Sequence, residues 1–186
     1  MSTIFGVIAR KTEAFSRVKD RPRFTPTAWA LVIGANLLAQ LGAHAMRGSS
    51  DPVRWVSSAV LGTAFVVAAF YIAVAVIDAI GRQAFHAQVT RDQLVRTLGL
   101  ASVWNSLGVL GVLALLSPSL TWVVGVAQAT AFVLFSAASL VAAKETMGTK
   151  WMPVIVSVVV AWVVAAVVLT VAQIMWGLFG FAGPLL

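Results

Sequence analysis

Five long apolar stretches constrain the fold of this chain more than any other feature. A transmembrane helix needs about 20 mostly apolar residues, and stretches of this kind cover residues 28–46, 55–80, 98–116, 120–143 and 153–176. The chain is 60% hydrophobic and only 10% charged, with a mean hydropathy of +0.96, unlike a soluble domain. The sequence therefore predicts an all-α, polytopic membrane protein with five transmembrane helices, which we number spans 1 to 5.

The polar connections carry most of the charge and predict the orientation. The formal net charge is +7, and 11 of the 13 Lys and Arg residues precede span 1 or lie at residues 81–97 and 144–150. Because cytoplasmic loops are enriched in Lys and Arg, we predict a cytoplasmic N-terminus and an outside C-terminus. Tryptophan marks membrane interfaces, and five tryptophans lie at predicted span ends: Trp29, Trp55, Trp122, Trp151 and Trp176.

Residues 1–27, which precede the bundle at 28–186, carry the pattern of an amphipathic interfacial helix. At about 100° per residue, Ile8, Phe15 and Val18 share one face and polar side chains share the other. We predict a helix that lies on the membrane surface, with docking of a soluble partner as the alternative. Its expected lipid contacts are Arg10, Lys11, Arg17, Lys19, Arg21 and Arg23.

Amide side chains recur inside the predicted spans. Asn36, Gln40 and His44 are spaced four residues apart and form a polar stripe on span 1, while Asn105 and Gln128 lie near the depth of Asn36 on spans 3 and 4. Amides in hydrocarbon need hydrogen-bond partners. The pattern predicts a polar cluster between spans 1, 3 and 4, either a structural network or the lining of a ligand site.

One acidic residue interrupts span 2. Asp78 precedes Arg82 by four residues, which places both side chains on one helix face near the predicted cytoplasmic end. We predict an interfacial ion pair, and a proton or cation site is the alternative reading.

Small residues mark the expected helix crossings. Glycines let helix backbones approach closely in membranes, and the short Ser117-Pro118-Ser119 connection predicts a tight hairpin of spans 3 and 4. The candidate contact residues are Gly34, Gly42, Gly108, Gly111, Gly125 and Ala129.

The sequence lacks the residues that several classes of function require. The chain has no cysteine and two histidines, His44 and His86, which lie on opposite sides of the predicted membrane. No glycine-rich phosphate loop, nucleophile triad or pair of carboxylates is present. We therefore predict no enzymatic activity and no catalytic residues, no metal site, no cofactor and no nucleic-acid partner; cofactor-binding residues remain unknown.

Two blocks resemble the Yip1 family of multi-pass membrane proteins. The first is "RKTEAFSRVKDRPRFTPTAWALVIGANLLAQL", similar to the family's amphipathic lead-in and first span. The second runs from Gln93 to Trp151 and is similar to the third and fourth spans with their flanking loops. The chain resembles a prokaryotic-type member, which implies five membrane helices, a cytoplasmic N-terminus and a prokaryotic inner membrane. Eukaryotic members imply a link to vesicle trafficking and membrane shaping.

Three hypotheses about function follow. The first is an accessory or assembly subunit of a larger membrane complex, with lipids and either a membrane-protein partner or a second copy as its contacts. The second is a small-molecule or ion transport component, suggested by the intramembrane amides and Asp78. The third is a Yip1-like protein that shapes membranes through its N-terminal helix.

Overall fold

The computed structural model describes residues 12–46 and 52–178, and every element in these ranges is helical. Five helices are long and apolar enough to cross a membrane, which confirms the predicted all-α fold with five spans. The elements are the arm helix Thr12–Lys19, a 3₁₀ turn Pro22–Phe24, span 1 (Thr25–Met46), span 2 (Pro52–Phe85), span 3 (Arg91–Ala101, Ser102–Val112 and Leu113–Leu116), a 3₁₀ turn Pro118–Leu120, span 4 (Thr121–Met147) and span 5 (Trp151–Leu178).

The connection between spans 2 and 3 is shorter than the expected loop at 81–97. Span 2 continues to Phe85, and span 3 begins at Arg91 with a capping box in which Thr90 and Gln93 exchange side-chain and backbone hydrogen bonds. His86, at φ 52°, reverses the chain. The polar composition therefore marks where hydropathy falls, while capping decides where the helices end.

The spans form a ring in the order 5, 2, 1, 3, 4. Span 1 packs between spans 2 and 3, span 4 packs on span 3, and span 5 packs on span 2. Spans 4 and 5 close the ring, but they contact each other much less than spans 5 and 2 do. We call this weaker contact between spans 4 and 5 the seam.

Span 3 is α-helical at both ends and a 3₁₀ helix over Ser102–Val112. A 3₁₀ helix has about 3.0 residues per turn, so Ser102, Asn105, Gly108 and Gly111 fall on one face. In an α-helix, with about 3.6 residues per turn, Ser102 and Gly111 would point in opposite directions. The 3₁₀ geometry therefore turns this set of small and polar residues toward span 1.

Spans 1 and 3 run in the same direction, and their backbones are in contact where the two helices cross. A Cβ atom added to Gly42 would overlap the carbonyl oxygen of Gly108, and one added to Gly108 would come within 2.8 Å of the Ala39 Cα. Cβ atoms built on Gly34 and Gly125 meet nothing within 4 Å. Spans 3 and 4 pack side by side, as expected of a hairpin, while Gly42, Gly108 and Gly111 form a backbone contact between spans 1 and 3.

The 3₁₀ segment also keeps the two parallel spans in register. Gly99 contacts Ala28, whereas Gly108 contacts Ala39, so nine residues of span 3 match eleven of span 1. With rises of about 1.5 Å per α-helical residue and 2.0 Å per 3₁₀ residue, both segments are about 17 Å long. A uniform α-helix in span 3 would be about 3 Å shorter over the same residues.

Candidate functional site

A cavity of about 150 Å³ lies among the spans, and residues from all five spans line it. Most of its wall is apolar, with Val74 from span 2 and Leu169 from span 5 among the lining side chains. We call it the central cavity. Its polar lining residues, among those the structure describes, are Asn36, Ser102, Asn105 and Ser139.

The two asparagines of the central cavity bind each other. Asn105 Nδ2 donates to Asn36 Oδ1 at 3.0 Å, and Asn36 Nδ2 donates to the Val32 carbonyl at 2.6 Å. The 3₁₀ segment makes this contact possible because it turns Asn105 toward span 1. Such interhelical bonds contribute about 0.6 kcal/mol each in membranes. The structure thus brings together two of the residues that the sequence places in a polar cluster.

The remaining residues of the predicted cluster lie farther along span 1 and on span 4. Gln40 and Gln128 line a crevice of about 250 Å³ between spans 1, 3 and 4, and Asn105 lines both this crevice and the central cavity. Gln40 Oε1 is buried without a hydrogen-bond partner in the structure. His44 is buried on span 1 and lines neither space. The cluster is therefore divided between two adjoining spaces.

Ser139 supplies a polar group that the sequence did not single out. The residue is 2% exposed, and its Oγ has no hydrogen-bond partner among the residues that the structure describes. Hydroxyls in apolar helices commonly donate to the carbonyl four residues earlier, as Thr63 does to Ala59 at 2.7 Å and Ser157 does to Pro153 at 2.8 Å. A serine among alanines carries no pattern in a single sequence that would reveal this difference.

Asp78 lies outside the central cavity, at the end of the bundle that holds the 86–90 turn. Its side chain is fully buried, and Oδ2 accepts hydrogen bonds from Arg82 Nη2 and, at 3.0 Å, from Arg91 Nε. The predicted partner Arg82 is thus joined by Arg91 from the start of span 3. Two guanidinium groups around one carboxylate fit an ion-pair cluster better than a cation site.

The described part of the N-terminal segment packs against protein. Phe15 and Val18 are fully buried against spans 3 and 4. The Lys19 carbonyl accepts a hydrogen bond from Arg96 Nε at 3.0 Å, and the Asp20 carboxylate accepts one from Gln93 at 2.9 Å. The apolar face of the arm helix therefore serves to dock the arm on the bundle.

The predicted lipid-contact residues divide into three groups. Arg17, Arg21 and Arg23 are exposed, and we call these three the arm surface. Lys19 is partly buried and donates to the Glu145 carbonyl at 3.5 Å. Arg10 and Lys11 lie outside the described residues. Lipid contact by these cations stays a prediction.

The described residues offer hydrogen bonds, ion pairs and apolar contacts. No group of three or more His, Cys, Asp or Glu side chains gathers there around a possible metal position. The central cavity has no charged side chain in its described lining. Such a space suits a neutral molecule.

Comparison with known proteins gives one family. The family model of the Yip1 domain matches residues 5–172, which include all of spans 1 to 4 and most of span 5. No curated protein and no solved structure matches the chain.

Proposed function

We propose that this chain, which belongs to the Yip1 family, is a non-enzymatic accessory or assembly subunit of a larger membrane complex. Members of the family are associated with membrane trafficking. The chain acts through contacts with lipids and with a membrane-protein partner or a second copy. Most of the described residues lie in the spans, which supports a role through contacts within the membrane.

The main support for this proposal is the arm, by which we mean residues 12–24 before span 1. Its apolar face and its backbone bind spans 3 and 4, which fixes the arm in place and leaves Arg17, Arg21 and Arg23 on its outer side. A fixed cationic surface beside the bundle suits an acidic partner segment or an anionic lipid surface.

Charge reversal on the arm surface tests the proposal. We expect Arg21→Glu/Arg23→Glu to remove a stoichiometric membrane partner that co-purifies with the tagged wild-type protein, as quantified by mass spectrometry after gentle extraction into native lipid. Arg54→Glu/Lys150→Glu changes the net charge equally but lies outside the arm surface, so this control should keep the partner.

The proposal fails if the wild-type protein is monomeric and partner-free in native lipid while its deletion leaves all membrane complexes unchanged. Retention of the partner by the arm variant would place the contact elsewhere and contradict the role of the arm surface.

The central cavity favours a second candidate, a small-molecule binding or transport component. The lining offers amides and hydroxyls without charge, which favours a neutral molecule over an ion. Replacing Asn36 and Asn105, which both line the cavity, with leucine would then abolish uptake by reconstituted vesicles of a substrate that the wild-type protein carries. Unchanged uptake would count against this function.

Membrane shaping by the arm receives less support. A helix that bends a bilayer inserts its apolar face into lipid, yet Phe15 and Val18 are fully buried against the bundle. In the described part of the segment, the residues needed for insertion are therefore already occupied by protein contacts.

A further inference from the structure

We propose that the central cavity binds a neutral, membrane-dissolved molecule with one compact planar ring and one hydrogen-bond acceptor, which the Ser139 hydroxyl recognises. This inference deepens the second candidate function and names its ligand class. It requires binding but not transport, and it is independent of the arm surface.

The size of the cavity sets the size of the ligand. An apolar protein cavity of about 150 Å³ can bind benzene, and the central cavity has the same volume of about 150 Å³. Phe70, Phe135 and Trp162 contribute aromatic side chains to its wall. Aromatic walls favour a planar ring, which can stack on them or meet their edges.

Three of the four polar side chains in the described lining already donate a hydrogen bond within the protein. Asn105 Nδ2 and Asn36 Nδ2 both donate within the protein, and Ser102 Oγ donates to the Leu98 carbonyl at 3.4 Å. Ser139 lines the cavity, and its Oγ is buried and has no hydrogen-bond partner among the described residues. A buried polar group without a partner is costly, so a ligand oxygen that accepts the Ser139 proton would relieve this cost.

The seam indicates the route of access. Phe135 and Ser139 line the cavity from span 4, while Trp162 and Leu169 line it from span 5, and these two spans contact each other least around the ring. Phe135, Trp162 and Leu169 are partly exposed on the apolar surface of the bundle. A molecule that enters through the seam comes from the hydrocarbon phase, and charge is disfavoured there.

Two ring compounds of equal shape test the proposal. The full-length protein in lipid nanodiscs would be titrated with 4′-fluoroacetophenone, which has a carbonyl acceptor, and with 4-fluoro-α-methylstyrene, in which a CH2 group replaces the carbonyl oxygen. Saturable binding above that of empty nanodiscs would be measured by fluorine NMR. We expect the wild-type protein to bind the ketone about 2–10-fold tighter than the probe without the carbonyl group, which is the effect of one net hydrogen bond.

Variants assign the binding to the cavity. Ser139→Ala should remove the preference for the ketone and leave the affinity for the hydrocarbon unchanged. Ser136→Ala is the matched control, because Ser136 is on the same span and its Oγ also has no partner, but it does not line the cavity. Ala165→Phe, which places a ring in the cavity, should abolish binding of both probes while the protein stays monodisperse.

The outcomes separate this inference from the proposed functions. The absence of saturable binding, equal affinity of wild type for both probes, or a ketone preference that survives Ser139→Ala overturns the cavity assignment. Each of these results leaves the contact role of the arm surface intact. Ketone-selective binding that Ser139→Ala removes supports the site, even where no transport is measured.

Discussion

Asp78 shows at the scale of single residues how this chain accommodates a buried charge. Its carboxylate is shielded from solvent, while the side chains of Arg82 and Arg91 are 53% and 51% exposed. The charge is therefore compensated from the surface, by cations that keep part of their own hydration. The three side chains join the end of span 2 to the start of span 3 across the 86–90 turn.

We predict that the two arginines are redundant. Arg82→Gln or Arg91→Gln alone should lower the thermal unfolding midpoint slightly, because one guanidinium still pairs with Asp78. The double variant should lose more than the sum of the single variants, since an uncompensated buried charge costs about 3–5 kcal/mol.

Adding Asp78→Leu to the double arginine variant should restore most of the lost stability, because it removes the unpaired carboxylate. Additive losses without this rescue would mean that Asp78 does not depend on the two arginines. Arg54→Gln/Lys150→Gln serves as the control for the change in net charge.

Sequence reasoning found only part of this cluster. The spacing of Asp78 and Arg82 within one helix is enough to pair them. Arg91 lies on the next helix, and its position depends on the turn ending at Thr90, where a capping box starts span 3 earlier than hydropathy suggests. The unpaired hydroxyl of Ser139 depends on packing among five helices, which local sequence does not encode.

At the scale of helices, the crossing of spans 1 and 3 determines the arrangement of the bundle. Gly42, Gly108 and Gly111 bring the two backbones together, and the 3₁₀ segment keeps Asn105 aligned with Asn36. Long 3₁₀ segments are uncommon because their hydrogen bonds are less favourable. Close backbone packing and the amide pair offset this cost.

Glycine substitutions should separate crossing positions from open ones. Gly42→Ala and Gly108→Ala place a methyl group against backbone atoms, so each should destabilise the protein by about 1–3 kcal/mol. Gly34→Ala and Gly125→Ala enter open space and should be neutral or stabilise by up to about 1 kcal/mol. Unfolding of the purified variants in one detergent measures these differences.

Destabilisation by all four substitutions to the same extent would show that glycine content, and not the crossing, explains the effect. The sequence placed small residues on spans 1, 3 and 4 but could not distinguish these pairs, because any of them permits close approach. The spacing of Ser102, Asn105, Gly108 and Gly111 by three residues is the signal that, used alone, would have indicated a 3₁₀ face toward a neighbour.

At the scale of the whole molecule, cations gather at one end of the bundle. The arm, the 86–90 turn and the 148–150 turn lie there together, as the hydrogen bonds of Arg96 and Lys19 to the arm and to Glu145 show. The composition and length of the apolar stretches were enough to predict five helices. The ring order was not predictable, because it depends on contacts between faces of similar hydropathy.

Labelling of introduced cysteines tests the proposed orientation, with the basic end in the cytoplasm. The chain has no cysteine of its own. In intact cells, an impermeant maleimide should label Ser119→Cys and leave Gln88→Cys unmodified; both should react after permeabilisation. The reverse pattern in intact cells would place the basic end outside.

The ring order also has a consequence for synthesis of the protein. Spans 1 to 4 can assemble in the order in which the ribosome delivers them, because span 2 packs on span 1, span 3 on span 1 and span 4 on span 3. Span 5 must bypass span 4, its neighbour in the chain, to reach span 2. The outer face of span 2 consequently stays in lipid until span 5 is synthesised, and a chain truncated before Trp151 would expose this face to chaperones and proteases.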